Sequence, residues 1–312
     1  MTNRKEGYTK DSPMKHLISD NDFLLHVISR FDIAFGFGDK NVAQVCAENN
    51  VHVPTFLAVC NLISGYPFAE ADTSLHDLIG YLRRAHQSIL DITLPHIRHH
   101  LVEGIGYSDA DNKLAILLMR FFDEYVGEVR MHMQHEDEEV FRYAERLIEG
   151  EANSRFSISG YSADHIPMSE KLRELKDLFI YHYSQHNNYR LSAVLFDIIL
   201  CEKDLESHFK VENDLFIPAA ARLEQRHGVA RCAVDSDGKR GVDSLSEREK
   251  EVICLIAKGL PNKIIADRLC LSAHTVSTHR RNICAKLDIH SASALTLYAV
   301  VHKLIDVSEL NV

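Results

Sequence analysis

The chain has 312 residues, 46% hydrophobic and 26% charged, with a net charge of −10, which suffices for two or three domains with apolar cores. No apolar run reaches the roughly 20 residues of a membrane span, the N-terminal MTNRKEGYTK lacks the apolar stretch of a signal peptide, and the 7 cysteines form no CxxC, which excludes a thiolate zinc ribbon and predicts reduced thiols in a cytoplasmic protein. Residues 243–312 hold 9 Lys and Arg against 8 Asp and Glu; an acidic body with a near-neutral tail argues against nonspecific nucleic-acid binding by the whole chain but leaves room for a DNA-reading module at its end.

Residues 1–13 are polar and predicted to be loose. Residues 14–66 form a short helical domain broken at Gly36 and Gly38. There LISDNDFLLHVISRFDI reads as one helix, Asn41–Glu48 as a second, and Pro54 opens a third. So short a domain needs a larger body to dock on. Residues 73–226 hold four long helical patterns, which predicts a four-helix bundle. The first carries Ile79, Leu82, His86, Leu90 and Ile97 on one stripe, and the second carries Tyr125, Val129, His132, Glu136 and Val140. The third, capped by Asp164, carries His165, Met168, Leu172, Leu175 and Phe179. The fourth places Cys201, Leu205, His208, Glu212 and Phe216 on its apolar face. Residues 227–243 read as a linker, and 244–312 as a compact helical module. The fold class is all-α.

The 19 histidines are a high count, and the HxxxE pattern recurs at His99/Glu103, His132/Glu136, His135/Glu139 and His208/Glu212. Periodicity separates these pairs. His135/Glu139 falls on a polar, solvated face, and His99/Glu103 lies in the exposed IRHH segment. Only 132/136 and 208/212 lie on core stripes, where an imidazole and a carboxylate need partners because burying unpaired polar groups costs roughly 2–7 kcal/mol. With His86 and His165 on the other two core faces, four helices offer His, His+Glu, His and His+Glu. Mixed nitrogen and oxygen donors of this kind suit iron or manganese.

HMQHEDEEVF and HFKVENDLFIP resemble the two HxxxE helices of hemerythrin-like di-iron proteins, and more specifically the iron-sulfur-cluster repair proteins known as RIC. The resemblance implies two non-haem irons, bridged by oxygen and by Glu136 and Glu212, with His86, His132, His165 and His208 as the other ligands. Two departures matter. Ser169 stands where an oxygen carrier would have a further histidine, which implies open positions and a reactive or sensing site. Gly36 and Phe37 stand at the positions of the RIC cysteine pair, which puts thiol chemistry there in doubt; Cys46 nearby reads as a small buried residue.

In SLSEREKEVICLIAKGLPNKIIADRLCLSAHTVSTHRRNICAKLDIHS, Ser246 and Glu249 form a capping box. Val252, Leu255 and Ile256 face inward on the first helix, and Ile264, Ile265 and Leu269 on the second. Val276, Ile283 and Leu287 do so on the third, and Ala292, Leu295, Ala299 and Leu304 on the fourth. The segment resembles the helix-turn-helix domain of LuxR-type regulators. Lys263, Thr275, Thr278, Arg281 and Lys286 are then candidates for phosphate contacts, and Ser277 and Arg280 for base edges, on double-stranded DNA. The fourth helix is expected to pair two copies as a homodimer.

Together these features predict a one-component transcription regulator that senses O2, NO or peroxide at a di-iron site; whether the site also turns over stays open. The alternative is a di-iron enzyme of nitrosative or oxidative stress defence, or of iron-sulfur-cluster repair, with a DNA-binding appendage.

Overall fold

A computed structural model describes residues 7–104, 113–151, 156–158, 161, 168–182, 189–226, 245–269, 271–287, 289 and 292–306. Among the described residues the fold is all-α, with no strand beyond an isolated bridge between Pro13 and Asn41. No described helix is long and apolar enough to cross a membrane. The chain divides into two compact units, Met1–Thr93 with Arg130–Ser169 and Cys201–Ser236, and Leu94–Val129 with Glu170–Leu200 and Asp237–Val312.

The first unit begins with four short helices, α1 (Met14–Asp20), α2 (Leu24–Arg30), α3 (Val42–Glu48) and α4 (Val53–Ile63). The stretch expected to be one helix over α1 and α2 is two. Asn21 is extended (φ −148°), and its side chain accepts a hydrogen bond from the Phe23 N–H at 3.1 Å, the local competition with helical bonding that Asn offers at a turn. Asn41 caps α3 in a reciprocal capping box with Gln44, and Pro54 lies in the first turn of α4.

Three long helices follow, each interrupted by one π-helical turn. Helix α5 runs Leu75–Ser88, passes through Ile89–Thr93 and continues as Leu94–Gly104. Helix α6 runs Lys113–His135, then Glu136–Val140, then Phe141–Ile148. Helix α7 is Ser169–His182, and α8 runs Tyr189–Val211, Glu212–Phe216 and Ile217–Arg226. A π turn holds an extra residue, so it rotates the helix that follows it. On α5 Ile89, the first residue of the turn, is fully buried, whereas Leu90, the residue expected on the core stripe, is only half-buried; beyond the turn Leu94, Ile97 and Leu101 are buried.

In the first unit the short domain and the long helices share one core, from Met14, Leu17 and Phe56 through Tyr81 and Phe141 to Phe216 and Ala220. Across it lies a buried ion pair. Arg30 Nη2 on α2 donates to Asp204 Oδ2 on α8 at 2.6 Å, each side chain 3% exposed. The Arg30 guanidinium stands over the Tyr81 ring, and the Arg30 carbonyl accepts from Arg84 Nη1 at 2.8 Å.

In the second unit the C-terminal module comprises α9 (Glu247–Ala257), α10 (Asn262–Leu269), α11 (Ala273–Leu287) and α12 (Ala292–Val301). Helix α9 packs on α11 and α12, and α10 on α11. Ser246 and Glu249 close a capping box at the start of α9. Gly259, at φ +74°, ends it, with the Leu260 N–H bonded back to the Leu255 carbonyl; that left-handed conformation favours glycine. Two inward assignments fail, at Ile264 and Ala292: Ile264 is 40% exposed, and the buried face of α10 is Ile265 and Ala266. Of the outer helices' inward positions, Val276, Ile283, Leu295 and Ala299 are buried, whereas Ala292 is exposed.

Removing one partner of the Arg30–Asp204 pair strands a buried charge, which costs about 3–5 kcal/mol, while replacing both with apolar residues is often neutral. Arg30→Met is therefore expected to lower the stability of the full chain by about that amount in urea unfolding, and Arg30→Met with Asp204→Leu to recover most of it. Additive losses in the double variant would show that the pair does not act as a unit.

Candidate metal centre

Three long helices bring His86, Glu136, His208 and Glu212 together in the first unit. All four are buried, and one nitrogen or oxygen from each lies within 4.8 Å of the others. His86 Nε2 and His208 Nε2 face each other at 3.2 Å. Glu136 Oε2 lies 3.2 Å from His86 Nε2 and 4.0 Å from His208 Nε2, and Glu212 Oε1 lies 3.5 Å from His208 Nε2. The second oxygen of Glu136 turns the other way: Oε1 is 2.9 Å from His132 Nε2 and accepts a 2.5 Å hydrogen bond from the Tyr161 hydroxyl. The two oxygens of the Glu136 carboxylate thus face different ways, Oε2 toward His86 and His208 and Oε1 toward His132. His165 and the capping candidate Asp164 lie outside the described residues.

The backbone explains why the two glutamates reach inward together. Each opens a π turn, in which the Phe141 N–H bonds to the Glu136 carbonyl and the Ile217 N–H to the Glu212 carbonyl, five residues back. The third π turn starts three residues after His86. Single π turns inside α-helices gather at functional sites. The off-stripe pairs lie elsewhere: His135 and Glu139 are exposed, and so are His99 and Glu103, whose side chains are 3.6 Å apart.

Two further residues complete the surroundings, neither of them expected. Asp137 Oδ1 stands 3.1 Å from His86 Nδ1, on the side of the ring away from the cluster, where a carboxylate fixes the orientation of an imidazole that uses its other nitrogen. Its position inside HEDEE gave no way to tell it from the exposed acids beside it. Tyr161 belongs to the SRFSISGYS segment, where no periodicity operates. Burial, and then the charges of Glu212 and Glu136, raise the Tyr161 phenol far above its ordinary range, so the phenol keeps its proton and donates a hydrogen bond to Glu136 Oε1.

Burial pulls the His86 pKa down, but hydrogen bonds and charge from Asp137 and Glu136 more than reverse this and raise it to about 9. The cluster therefore favours positive charge. His208 Nδ1 is buried with no hydrogen-bond partner among the described residues, so the polar interactions of that ring lie on the Nε2 side, toward the carboxylates. Two imidazole nitrogens and two carboxylates converging in an apolar shell fit a divalent transition ion. Cys46, by contrast, is no reactive thiol: burial pushes it up to about 12, and the thiolate is the reactive form.

On the C-terminal module, Lys263, Ser277 and Arg281 are exposed, while Thr275, Thr278 and Arg280 are half-buried. Asn262, not singled out from the sequence, holds two of the candidates, donating to Ser277 Oγ at 3.3 Å and accepting from Arg280 Nη1 at 2.8 Å. Thr275 Oγ1 lies 2.7 Å from the capping Ser272 Oγ. Lys286 Nζ pairs with Glu249 Oε2 at 3.0 Å, which gives it a role in holding α11 to the α9 capping box.

Because Glu136 faces His86 and His208 with one oxygen and His132 with the other, Glu136→Ala is expected to abolish metal binding, and Glu212→Ala to lower the metal bound per chain while the far-ultraviolet circular dichroism stays helical. Metal analysis of the purified variants checks this; unchanged metal in Glu136→Ala would contradict it.

Residues 77–220 match the hemerythrin HHE cation binding domain, and residues 243–299 match the bacterial regulatory proteins of the luxR family, GerE. Among curated proteins, the oxygen regulatory protein NreC of Staphylococcus haemolyticus is 48% identical over 62 residues, 20% of this chain and 29% of that protein. The response regulator GacA of Pseudomonas protegens is 47% identical over 66 residues, 21% of this chain and 31% of its own length. The transcriptional regulatory protein LiaR of Bacillus subtilis is 41% identical over 64 residues, 20% of this chain and 30% of its own. The chain thus spans about a third or less of these relatives. It joins a hemerythrin HHE cation-binding domain, with a buried His and Glu cluster, to a helix-turn-helix domain of the luxR family.

Proposed function

We propose that the protein is a one-component transcription regulator whose hemerythrin-like domain, of the RIC type, carries two non-haem irons and controls DNA binding by the C-terminal module. The observation that supports it best is the Glu136 carboxylate, with one oxygen toward His86 and His208 and the other toward His132, in a chain that also bears a luxR-family domain. His86, His132, His165 and His208 would hold the metals, with Glu136 and Glu212 between them. When bound, such a pair supplies a change of oxidation state and open positions for O2, NO or a peroxide.

The chain's own residues set how a change there is felt. Asp137 keeps His86 turned inward, and Tyr161 holds Glu136 Oε1, so a shift of that carboxylate moves groups on more than one helix. His208 and Glu212 lie on α8, the last helix before the expected linker at residues 227–243. On the DNA side, exposed Lys263, Ser277 and Arg281 and the Asn262-held Arg280 form the face of α10 and α11 offered to DNA, in a homodimer reading two half-sites. Moving such a switch from mostly off to mostly on requires about 5.5 kcal/mol of differential binding, within reach of changes in metal–ligand bonds. The location that follows from this function is the cytoplasm.

The test uses the full chain and DNA selected by it from a random pool. Affinity is measured for the metal-free, diferrous, oxidised and nitrosylated forms, and at least a tenfold difference between two of them is expected, within the roughly 5–150-fold range of allosteric coupling. Equal affinity in all forms would overturn the proposal.

A further inference from the structure

We propose that His96, His100 and Asp197 form a second metal site, for a borderline divalent transition ion such as Zn2+, built from none of the residues of the buried centre. His96 and His100 are four apart on the Leu94–Gly104 segment of α5, so both imidazoles leave the same helix face. Asp197 comes from α8. His100 Nδ1 lies 2.6 Å from Asp197 Oδ2, and His96 Nε2 lies 3.7 Å from the same oxygen. The two rings stand edge to face with centroids 4.0 Å apart, and one donor atom from each of the three residues lies within 4.8 Å of the others.

A simple His–Asp hydrogen bond explains only half of this. It needs His100 and leaves no reason for His96 to aim its Nε2 at the same carboxylate oxygen. Three donors sharing a tetrahedral ion at Zn–N distances of 2.0–2.1 Å lie about 3.4 Å apart, a spacing that small side-chain rotations reach from the distances here. Two imidazoles and a carboxylate are a donor set for Zn2+, Ni2+ or Cu2+, and too rich in nitrogen for Ca2+ or Mg2+.

Access and selectivity are also in place. The three side chains are 56%, 30% and 22% exposed in the order His96, His100, Asp197, so an ion reaches them from solvent. A cavity of about 220 Å³ opens beside His100, lined by Glu103, Tyr189 and Arg190. Three protein donors leave at least one position for water or an anion drawn from that cavity, the arrangement of an exchangeable site and not of a closed structural one. His99, one residue away, turns to Glu103 and takes no part. An ion held there ties α5 to α8 and, by mass action, stabilises the arrangement that binds it.

The experiment titrates Zn2+ against a chromophoric competitor in the full, iron-loaded chain and in two variants, His96→Ala/His100→Ala and His99→Ala. One equivalent of Zn2+ is expected in the parent and in His99→Ala, with iron content equal in all three proteins. In the double variant the affinity is expected to fall by at least about tenfold, since even the loss of a supporting partner of a ligand costs 10–100-fold. Unchanged Zn2+ binding in the double variant, or an equal loss in His99→Ala, would overturn the site by showing either no role for the triad or a diffuse histidine surface. Because neither variant touches the buried cluster, failure here leaves the proposed iron centre standing.

Discussion

Two glutamates carried into an apolar core set the terms for the first unit. Glu136 is fully buried and Glu212 nearly so, and a carboxylate in such surroundings is tolerated only with opposite charge and hydrogen bonds about it. The structure supplies them in layers. His86, His132 and His208 face the carboxylates, Tyr161 donates to one, and Asp137 orients one of the imidazoles. The π turns that begin at both glutamates and just after His86 are the backbone side of the same solution, because they fix the rotation at which these side chains meet.

The short N-terminal domain is part of this arrangement and not an appendage. Its Arg30 reaches Asp204, which precedes His208 by one helical turn on α8, and both charges are buried. That pair, with Tyr81 beneath the guanidinium and Arg84 on the Arg30 carbonyl, fastens α2 against α5 and α8 within one continuous core. Gly36 and Phe37 offer no thiol, and burial pushes the Cys46 thiol up to about 12. The domain therefore contributes packing and a buried charge pair where a reactive thiol would otherwise be sought.

Much of this was legible in the residues. Period-3.6 stripes gave the helices, and the contrast between on-stripe and off-stripe HxxxE pairs separated buried Glu136 and Glu212 from exposed Glu103 and Glu139, because burial follows periodicity while the motif alone does not. What periodicity could not reveal is where a helix changes phase. The π turn that begins at Ile89 is one such place, and nothing in ILDIT announces it. Contacts made across long sequence distances were equally hidden, among them Tyr161 to Glu136, Arg30 to Asp204, and Asp197 to the His96 and His100 pair. The break at Asn21 had a local signal, an Asn before an Asp, that apolar spacing on either side outweighed.

The central claim is that the buried cluster exists to hold a pair of metal ions. Iron and zinc content of the full chain, purified without oxygen, tests it most directly. Two irons per chain are predicted, from the two faces of the Glu136 carboxylate. Fewer than about one iron per chain, with the protein folded and the cluster residues intact, would contradict it.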